Sequence, residues 1–327
     1  MKWFGFLVAA VLAGFGGLPT NGHTHQEIDA MDLQQTKGRL HDHLVMLTRS
    51  IGERSVRHPN NLRRTADFIY SFFESIQVPV RLEPYTYRQM SVSNVVAELS
   101  FGSTPSRHYL VGAHYDSVTG TVGADDNASA VAVLLETARE LRAVAAAQSL
   151  NLKVTFVAFA LEEPPVYGTR FMGSRVYAAK AKREKLSLDG MICLEMVGYT
   201  CREPGCQHYP FPLTFFGYPK EGDFIGIVGN FGSKSFSRKL VKSFHRNPGL
   251  PVVSLSVPLD GWILPSVRLS DHASFWDKGF PAVMVTDSAF FRNPHYHLPS
   301  DTMDKLDLDF MAELVKSLVG FFGSQEQ

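Results

Sequence analysis

Several patterns are scarce or missing in this 327-residue chain, and each absence narrows what the protein can do. The 32 Lys and Arg residues are balanced by 32 Asp and Glu residues, so the chain lacks the excess positive charge of a general nucleic-acid binder. It contains no His-Glu-x-x-His and no Gly-x-Ser-x-Gly pattern, and residues 229–234 lack the spacing of a phosphate-binding loop. The chain also shows no internal repeat and no linker, so we expect one domain.

Cysteine is rare, with three residues in all. Cys193 lies in an apolar run, whereas Cys201 and Cys206 flank a Pro-Gly turn. In an exported protein such a pair favours a disulfide, and the alternative is two free thiols on a loop. In either case these cysteines are interpreted as structural.

Residues 1–22 have the layout of an export signal. Lys2 precedes an uncharged run from Trp3 to Leu18, and a polar stretch follows. The run is short for a membrane span, which needs about 20 residues, although an uncleaved anchor stays open because the cleavage site is weak. We therefore expect an exported protein, membrane-associated only if this segment is retained, with a catalytic domain over residues 23–327.

The remaining hydrophobic patterns predict an α/β fold. Residues 31–51 and 60–76 carry apolar residues at helical spacing, and residues 92–99 alternate as half-buried strands do. Later runs at 152–161, 191–194 and 282–285 are apolar on both faces. Together they predict a single domain with a mostly parallel central sheet, helices on both faces and an antiparallel edge.

Acidic and histidine side chains follow four of these apolar runs. They are His114 after 110–112, Glu162 and Glu163 after 157–161, Glu195 after 191–194, and His297 beyond 282–286. Residues 123–129, Gly-Ala-Asp-Asp-Asn-Ala-Ser, precede a predicted helix and contribute Asp125. Ligands of open α/β sheets bind at the carboxyl ends of the strands, so we expect these segments to converge on one crevice.

Two imidazoles and several carboxylates form a ligand set that suits catalytic zinc. Their number allows two ions, one held by His114 and Glu195 and one by Glu163 and His297, with Asp125 bridging them. Each segment alone has a simpler explanation, such as a capped turn, a helix cap or a solvated strand end. However, Glu162 and Glu163 follow a strand too apolar to be an edge, where unpaired carboxylates would be costly without a metal.

Seven motifs carry a resemblance to the family-28 zinc metallopeptidases, which include secreted leucyl and aminopeptidase-Y types. They are HYDS at 114, GADDNAS at 123, EE at 162, MGSRVYA at 172, LEMVGY at 194, SDHASFW at 270 and HYHLPSDT at 295. Their order and approximate spacing resemble the family's over nearly all of residues 31–322. The chain departs from several members at Glu195, where they have Asp.

The resemblance implies the two-zinc ligand set given above, with Asp125 bridging. It also implies that Glu162 is the general base and that Asp116 and Asp271 orient the ligands or the water network. Tyr296 is similar to a tyrosine that polarises the scissile carbonyl in some members.

The implied function is that of a two-zinc aminopeptidase that acts on peptides with a free N-terminus, with no nucleic-acid partner. Two alternatives stay open. A glutaminyl cyclase uses one zinc on a similar scaffold, but its usual substitution near the bridging acid is absent here. An inactive peptidase-like binding ectodomain is disfavoured by the intact ligands and base.

Overall fold

The computed structural model describes residues 31–145 and 150–324, so the predicted export segment and its boundary with the catalytic domain lie outside the described residues. Within these two ranges, eight strands form one sheet: β1 Val80–Tyr87, β2 Met90–Ser100, β3 Arg107–His114, β4 Leu152–Phe159, β5 Gly190–Glu195, β6 Ile225–Asn230, β7 Val252–Val257 and β8 Ala282–Thr286. Seven α-helices are found in the described residues: α1 Leu33–Leu44, α2 Pro59–Ser75, α3 Ala130–Ala145, α4 Gly173–Arg183, α5 Lys234–Phe244, α6 His272–Trp276 and α7 Leu308–Gly323.

The strand order is β1-β2-β4-β3-β5-β8-β6-β7. The four central strands, β4, β3, β5 and β8, are parallel, and β1 and β2 form the antiparallel edge that the sequence predicts. At the other edge β6 and β7 are parallel to each other but antiparallel to β8. The sheet is therefore mixed at both edges, and the second reversal is not apparent in the sequence.

Helices cover both faces of the sheet, as predicted. One face packs against α1, α2, α3, α5 and α7, and its core includes Phe73, Phe156 and Phe321. The other face packs against α4 and α6 through Tyr177 and Phe275. Among the described residues, no helix combines the length and apolar character needed to cross a membrane.

The ends of the apolar strands determine where the polar side chains lie. β3, β4 and β5 are fully buried over their carboxyl halves. Because these strands and β8 are parallel, their carboxyl ends meet at one edge of the sheet. Cys201 and Cys206 form a disulfide in the loop after β5, and Cys193 is free and buried in β5.

Candidate metal centre

The structure brings together the five predicted side chains at the strand ends. His114 ends β3, Glu162 and Glu163 follow β4, Glu195 ends β5, and His297 lies in the loop after β8. His114 Nε2 is 3.5 Å from Glu195 Oε2, and His297 Nε2 is 3.4 Å from Glu163 Oε2. These are the two pairs that the sequence assigns to separate ions.

The aspartate between the two pairs is Asp126, and the prediction of Asp125 as the bridging residue is wrong in this geometry. Asp126 Oδ1 lies 3.3 Å from His114 Nε2, and its Oδ2 lies 3.1 Å from His297 Nε2. The carboxylate of Asp125 instead accepts hydrogen bonds from the Gly198 amide and from Asn293 Nδ2.

The backbone explains this exchange of roles. Asp126 has φ −100° and ψ 89°, outside the helical region, so α3 does not yet constrain it. Successive side chains of extended backbone point in opposite directions, so of two adjacent aspartates only one can face the histidines. Two consecutive acids in the sequence do not say which one that is.

Two buried carboxylates hold the acidic segments in place through their backbone amides. Asp301 accepts hydrogen bonds from the amides of Asp125 and Asp126, at 2.8 and 3.1 Å. Asp116 accepts those of Glu162 and Glu163, both at 3.0 Å. Each acid pair is thus fixed by a carboxylate behind it, which keeps the side chains aimed at the centre.

The other residues suggested by the resemblance also lie near the centre. Asp116 Oδ1 is 3.4 Å from His114 Nδ1, a geometry suited to orienting that imidazole. Asp271 is completely buried, and its negative charge acts on His114 and Glu195. The ring of Tyr296 stacks on that of His297 with centroids 3.8 Å apart.

Burial and mutual repulsion shift the pKa values of the centre. Burial raises the pKa of Glu162 well above its usual range and, with the charge of Asp126, raises the pKa of Glu163 to about 8. Burial would lower the pKa of His297, but its contacts with Asp126 and Glu163 raise it to about 10. The crowded negative charge thus favours bound protons on Glu163 and on His297. The same negative charge would attract a metal cation.

The donor atoms fit a metal. His114 Nε2, Asp126 Oδ1 and Glu163 Oε1 are buried without a hydrogen-bond partner. One ligand atom from each of these three residues lies within 4.8 Å of the others. Unpartnered buried polar atoms are costly, and a cation shared among them removes that cost. Imidazole and carboxylate donors suit zinc.

Three residues at this edge have left-handed backbone conformations that are uncommon outside glycine. Leu161 precedes Glu162 with φ 60°, Met196 follows Glu195 with φ 45°, and His297 has φ 58°. For bulky side chains this conformation is strained, and such strain is concentrated at functional sites. Here these conformations turn the chain directly before Glu162, directly after Glu195 and at His297 itself.

Sequence reasoning missed Arg54, which has no accessible surface. Its guanidinium donates hydrogen bonds of 2.6 to 3.2 Å to five backbone carbonyls, those of Leu47, Gly52, Tyr115, Val122 and Gly123. Burial lowers its pKa to about 10, against the raising effect of Asp116 and Asp301. Arg54 thus ties the loops on both sides of His114 together, and its place in a polar stretch gave no signal of this.

Two smaller residues were also missed. Ser270 Oγ donates a 2.5 Å hydrogen bond to Glu195 Oε2. Asn127 donates to the Leu194 carbonyl and accepts from the Met196 amide, so it holds the chain on either side of Glu195. Both lie inside motifs that the resemblance quotes, and only the fold shows what they contact.

Imidazole and carboxylate donors that could hold a cation, with a further glutamate beside them at the carboxyl edge of an α/β sheet, form an arrangement that suits the class of metal-dependent hydrolases. Comparison with family models narrows the class, because residues 94–321 match the model described as Peptidase family M28. The chain belongs to this family and is a zinc metallopeptidase, as the resemblance in its sequence predicts.

Individual proteins are similar to this chain in sequence. A protein of Escherichia coli K12 called YfbL, itself uncharacterized, is 39% identical over 282 residues, which cover 84% of this chain and 83% of YfbL. A probable leucine aminopeptidase of Arthroderma otae is 30% identical over 222 residues. That match covers 65% of this chain and 52% of the fungal protein, so it spans about half of the relative's length.

Solved structures share the fold. The LapA aminopeptidase of Legionella pneumophila aligns with a TM-score of 0.69 at 19% identity, covering 94% of this chain and 76% of LapA. The glutaminyl cyclase of Porphyromonas gingivalis aligns with a TM-score of 0.63 at 17% identity, covering 91% of this chain and 100% of the cyclase. At these identities the likeness shows the architecture alone.

Proposed function

We propose that this protein is a two-zinc aminopeptidase that releases the N-terminal residue of peptides. The observation that carries the proposal is the position of Asp126, whose two carboxylate oxygens face His114 and His297 respectively. The leucine aminopeptidases among the relatives support the choice of substrate end.

His114 and Glu195 would hold one zinc, Glu163 and His297 the other, and Asp126 would be shared. When bound, the ions would supply Lewis-acid chemistry, which polarises the scissile carbonyl and makes water a better nucleophile at neutral pH. The assignment of one zinc to each histidine is supported by the position of Asp126, whose carboxylate lies between the imidazoles of His114 and His297.

Glu162 is the proposed general base. Its Oε2 lies 3.9 Å from His114 Nε2, and its backbone amide donates a hydrogen bond to Asp116, which fixes the backbone at this position. Because burial raises the pKa of Glu162, the carboxylate binds a proton more readily than an exposed glutamate does. It accepts a proton from the attacking water and later returns it to the leaving amine.

Glu195 and Tyr296 would position the substrate. The carboxylate of Glu195 offers a negative charge to the free α-ammonium group, which places the N-terminus at the centre. Tyr296 stacks on His297 and is the candidate hydrogen-bond donor to the scissile carbonyl. Placing the charged terminus at Glu195 favours removal of one residue over internal cleavage.

Export of the protein also remains a proposal. It rests on the apolar run Trp3–Leu18, and N-terminal sequencing of the mature protein tests it. A first residue near 22 or 23 supports cleavage, an intact start with membrane association supports an anchor, and an intact soluble cytoplasmic form contradicts export.

The function is tested with the tripeptide Leu-Gly-Gly, its N-acetylated form and a peptide that begins with glutamine. We expect release of leucine from the free peptide, no cleavage of the acetylated one, loss of activity with a chelator and recovery with zinc. Formation of pyroglutamate instead would indicate a glutaminyl cyclase, and no reaction with any substrate would indicate a binding ectodomain.

A further inference from the structure

One long stretch of the chain contains basic residues and no acidic ones. Residues 224–259 include five Lys and Arg residues and no Asp or Glu, although the two signs are balanced over the whole chain. This stretch forms β6, α5 and β7, and α5 packs against both strands and against α7. A local excess of one sign on a neutral protein attracts partners of the opposite sign.

The positive charges lie on the solvent side of α5. The helix buries its other side, which includes Phe236, in the core. Its solvent side carries Lys234, Arg238, Lys239 and Lys242, of which the last three are exposed. Spacings of three and four residues place these side chains next to one another along the helix. We call these four residues the basic face.

Two acids from outside this stretch contact it through asparagines. Asp260 Oδ1 accepts a 2.6 Å hydrogen bond from Asn230, and Glu313 Oε2 of α7 accepts one of 2.9 Å from Asn247. Within the described ranges, neither these acids nor any other forms an ion pair with the basic face. Its charges are therefore not neutralised by direct contact with the described part of the chain, so an external anion can bind them.

Exposed apolar side chains lie beside the amino-terminal end of α5. They are Phe231, Leu259, Trp262 and Ile263, and 58 to 70% of the surface of each residue is exposed. The short helical turns that contain Phe231 and Leu259 are in contact, and Lys234 Nζ lies 5.9 Å from the centre of the Phe231 ring. We call these four residues the apolar tip. Clusters of exposed apolar residues mark interaction surfaces.

Specific contacts hold the apolar tip in its exposed position. Leu259, Asp260 and Gly261 have consecutive left-handed conformations, with φ 49°, 49° and 79°. The Asp260 carbonyl accepts a 2.6 Å hydrogen bond from Arg268, whose guanidinium also lies 3.9 Å from the centre of the Trp262 ring. Side chains that are already held outward lose little conformational entropy when a partner covers them.

We propose that the basic face and the apolar tip together dock on a membrane surface that contains anionic lipids. Lysine and arginine side chains are attracted to anionic headgroups, and tryptophan and aliphatic side chains insert at the boundary between headgroups and acyl chains. A bilayer offers both partners on one continuous surface, whereas a soluble polyanion offers no apolar layer to the apolar tip. The proposal does not depend on the aminopeptidase function.

The position of the apolar tip leaves the metal centre accessible. β6 runs antiparallel to β8, and Gly229, near the end of β6, is paired with Val283, near the start of β8. Phe231 directly follows β6, so it lies toward the amino edge of the central strands, away from the metal centre. Docking through the apolar tip therefore leaves the carboxyl edge of the sheet open to peptides.

The test measures how the full-length, zinc-loaded protein partitions onto sedimented vesicles. One set contains phosphatidylcholine alone, and the other contains two parts of phosphatidylcholine to one part of phosphatidylglycerol. We expect at least about tenfold stronger binding to the anionic vesicles. Binding should weaken when salt rises from about 0.1 M to about 1 M, because the Debye length falls from about 10 Å to about 3 Å. The uncharged run Trp3–Leu18 is present in every variant, so it does not account for differences among them.

Reversal of three charges tests the basic face. The triple variant Arg238→Glu, Lys239→Glu and Lys242→Glu should lower binding to anionic vesicles at least about 100-fold, since each basic side chain near the surface contributes about fivefold. If this variant does not fold, Lys242→Glu alone takes its place and should lower binding about fivefold or more. Thermal melting checks the fold of every variant.

The matched control reverses three exposed basic residues at the end of α4 and directly after it. Its changes are Lys182→Glu, Arg183→Glu and Lys185→Glu. α4 packs on the opposite face of the sheet from α5. The control has the same net charge as the α5 variant, and it should retain most of the binding because its changes lie outside the basic face.

A second pair of variants tests the apolar tip. Leu259→Ser combined with Ile263→Ser removes two exposed apolar side chains and should lower binding to anionic vesicles at least about tenfold. Phe215→Ser combined with Phe216→Ser is the matched control, because both residues are also exposed but lie in the loop after the disulfide. This control should leave the binding unchanged.

Any of four results would overturn the proposal. The first is equal binding, or no binding, to anionic and neutral vesicles, and the second is an equal loss in the α5 and α4 charge variants. The third is unchanged binding by the apolar-tip variant. The fourth is binding to heparin without binding to anionic vesicles, which would mean that the surface recognises a soluble polyanion.

Discussion

Replacing Asp126 with asparagine should empty the metal centre while leaving the fold intact. The change preserves the shape of the side chain and removes the negative charge that lies 3.3 Å from His114 and 3.1 Å from His297. At an effective dielectric constant of about 20, a unit charge at about 4 Å contributes about 4 kcal/mol. Because zinc carries two charges, the loss for each ion is at least this large, which corresponds to binding weaker by about a thousandfold or more.

Asp125→Asn is the matched control, because it changes the neighbouring acid in the same way. The carboxylate of Asp125 contacts the Gly198 amide and Asn293, and it faces neither histidine. This variant should bind zinc and should lose about 1–3 kcal/mol of stability through a poorer contact with Asn293. Zinc content after dialysis against a metal buffer, together with urea unfolding, separates the two effects. Retention of two zinc ions by Asp126→Asn and their loss from Asp125→Asn would refute our assignment.

Three further predictions concern the base, the buried arginine and the protons of the centre. Glu162→Gln should keep its zinc and lower kcat about 100-fold or more, and nearly full activity would mean that another group is the base. Arg54→Met should lower the free energy of unfolding by about 3–5 kcal/mol, because it leaves buried carbonyl groups unpaired. A loss below about 1 kcal/mol, measured by urea unfolding, would mean that Arg54 does not hold these loops together. Zinc binding at pH 7 should release protons, because the raised pKa values of His114 and His297 keep the metal-free imidazoles protonated whereas zinc requires them neutral. Calorimetry in two buffers of different ionisation enthalpy measures this release, and identical heats would argue against it.

The sequence predicts the central strands because they are buried on both faces, and their continuous apolar runs identify them. It does not identify β6 and β7, where glycine and serine interrupt the pattern and Val252–Val257 is partly exposed. The reversed direction of β6 relative to β8 depends on how the intervening segments cross the molecule, which local patterns do not encode.

The convergence of the ligands follows from the sequence for a similar reason. Parallel strands bring their carboxyl ends together, so residues that follow them must meet. The choice between Asp125 and Asp126 could not be made in this way, because it depends on backbone angles fixed by Asp301, which is 175 residues distant from Asp126. Arg54 was invisible for the same reason, since its partners are carbonyl groups that carry no sequence signal.

Our proposal that two zinc ions share Asp126 is tested by a crystal structure of the zinc-loaded protein with anomalous data at the zinc edge. We expect two peaks, one contacted by His114 and Glu195 and one by Glu163 and His297, with an oxygen of Asp126 on each. A single peak, or peaks contacted by Asp125 instead of Asp126, would contradict the sharing of Asp126 by two ions.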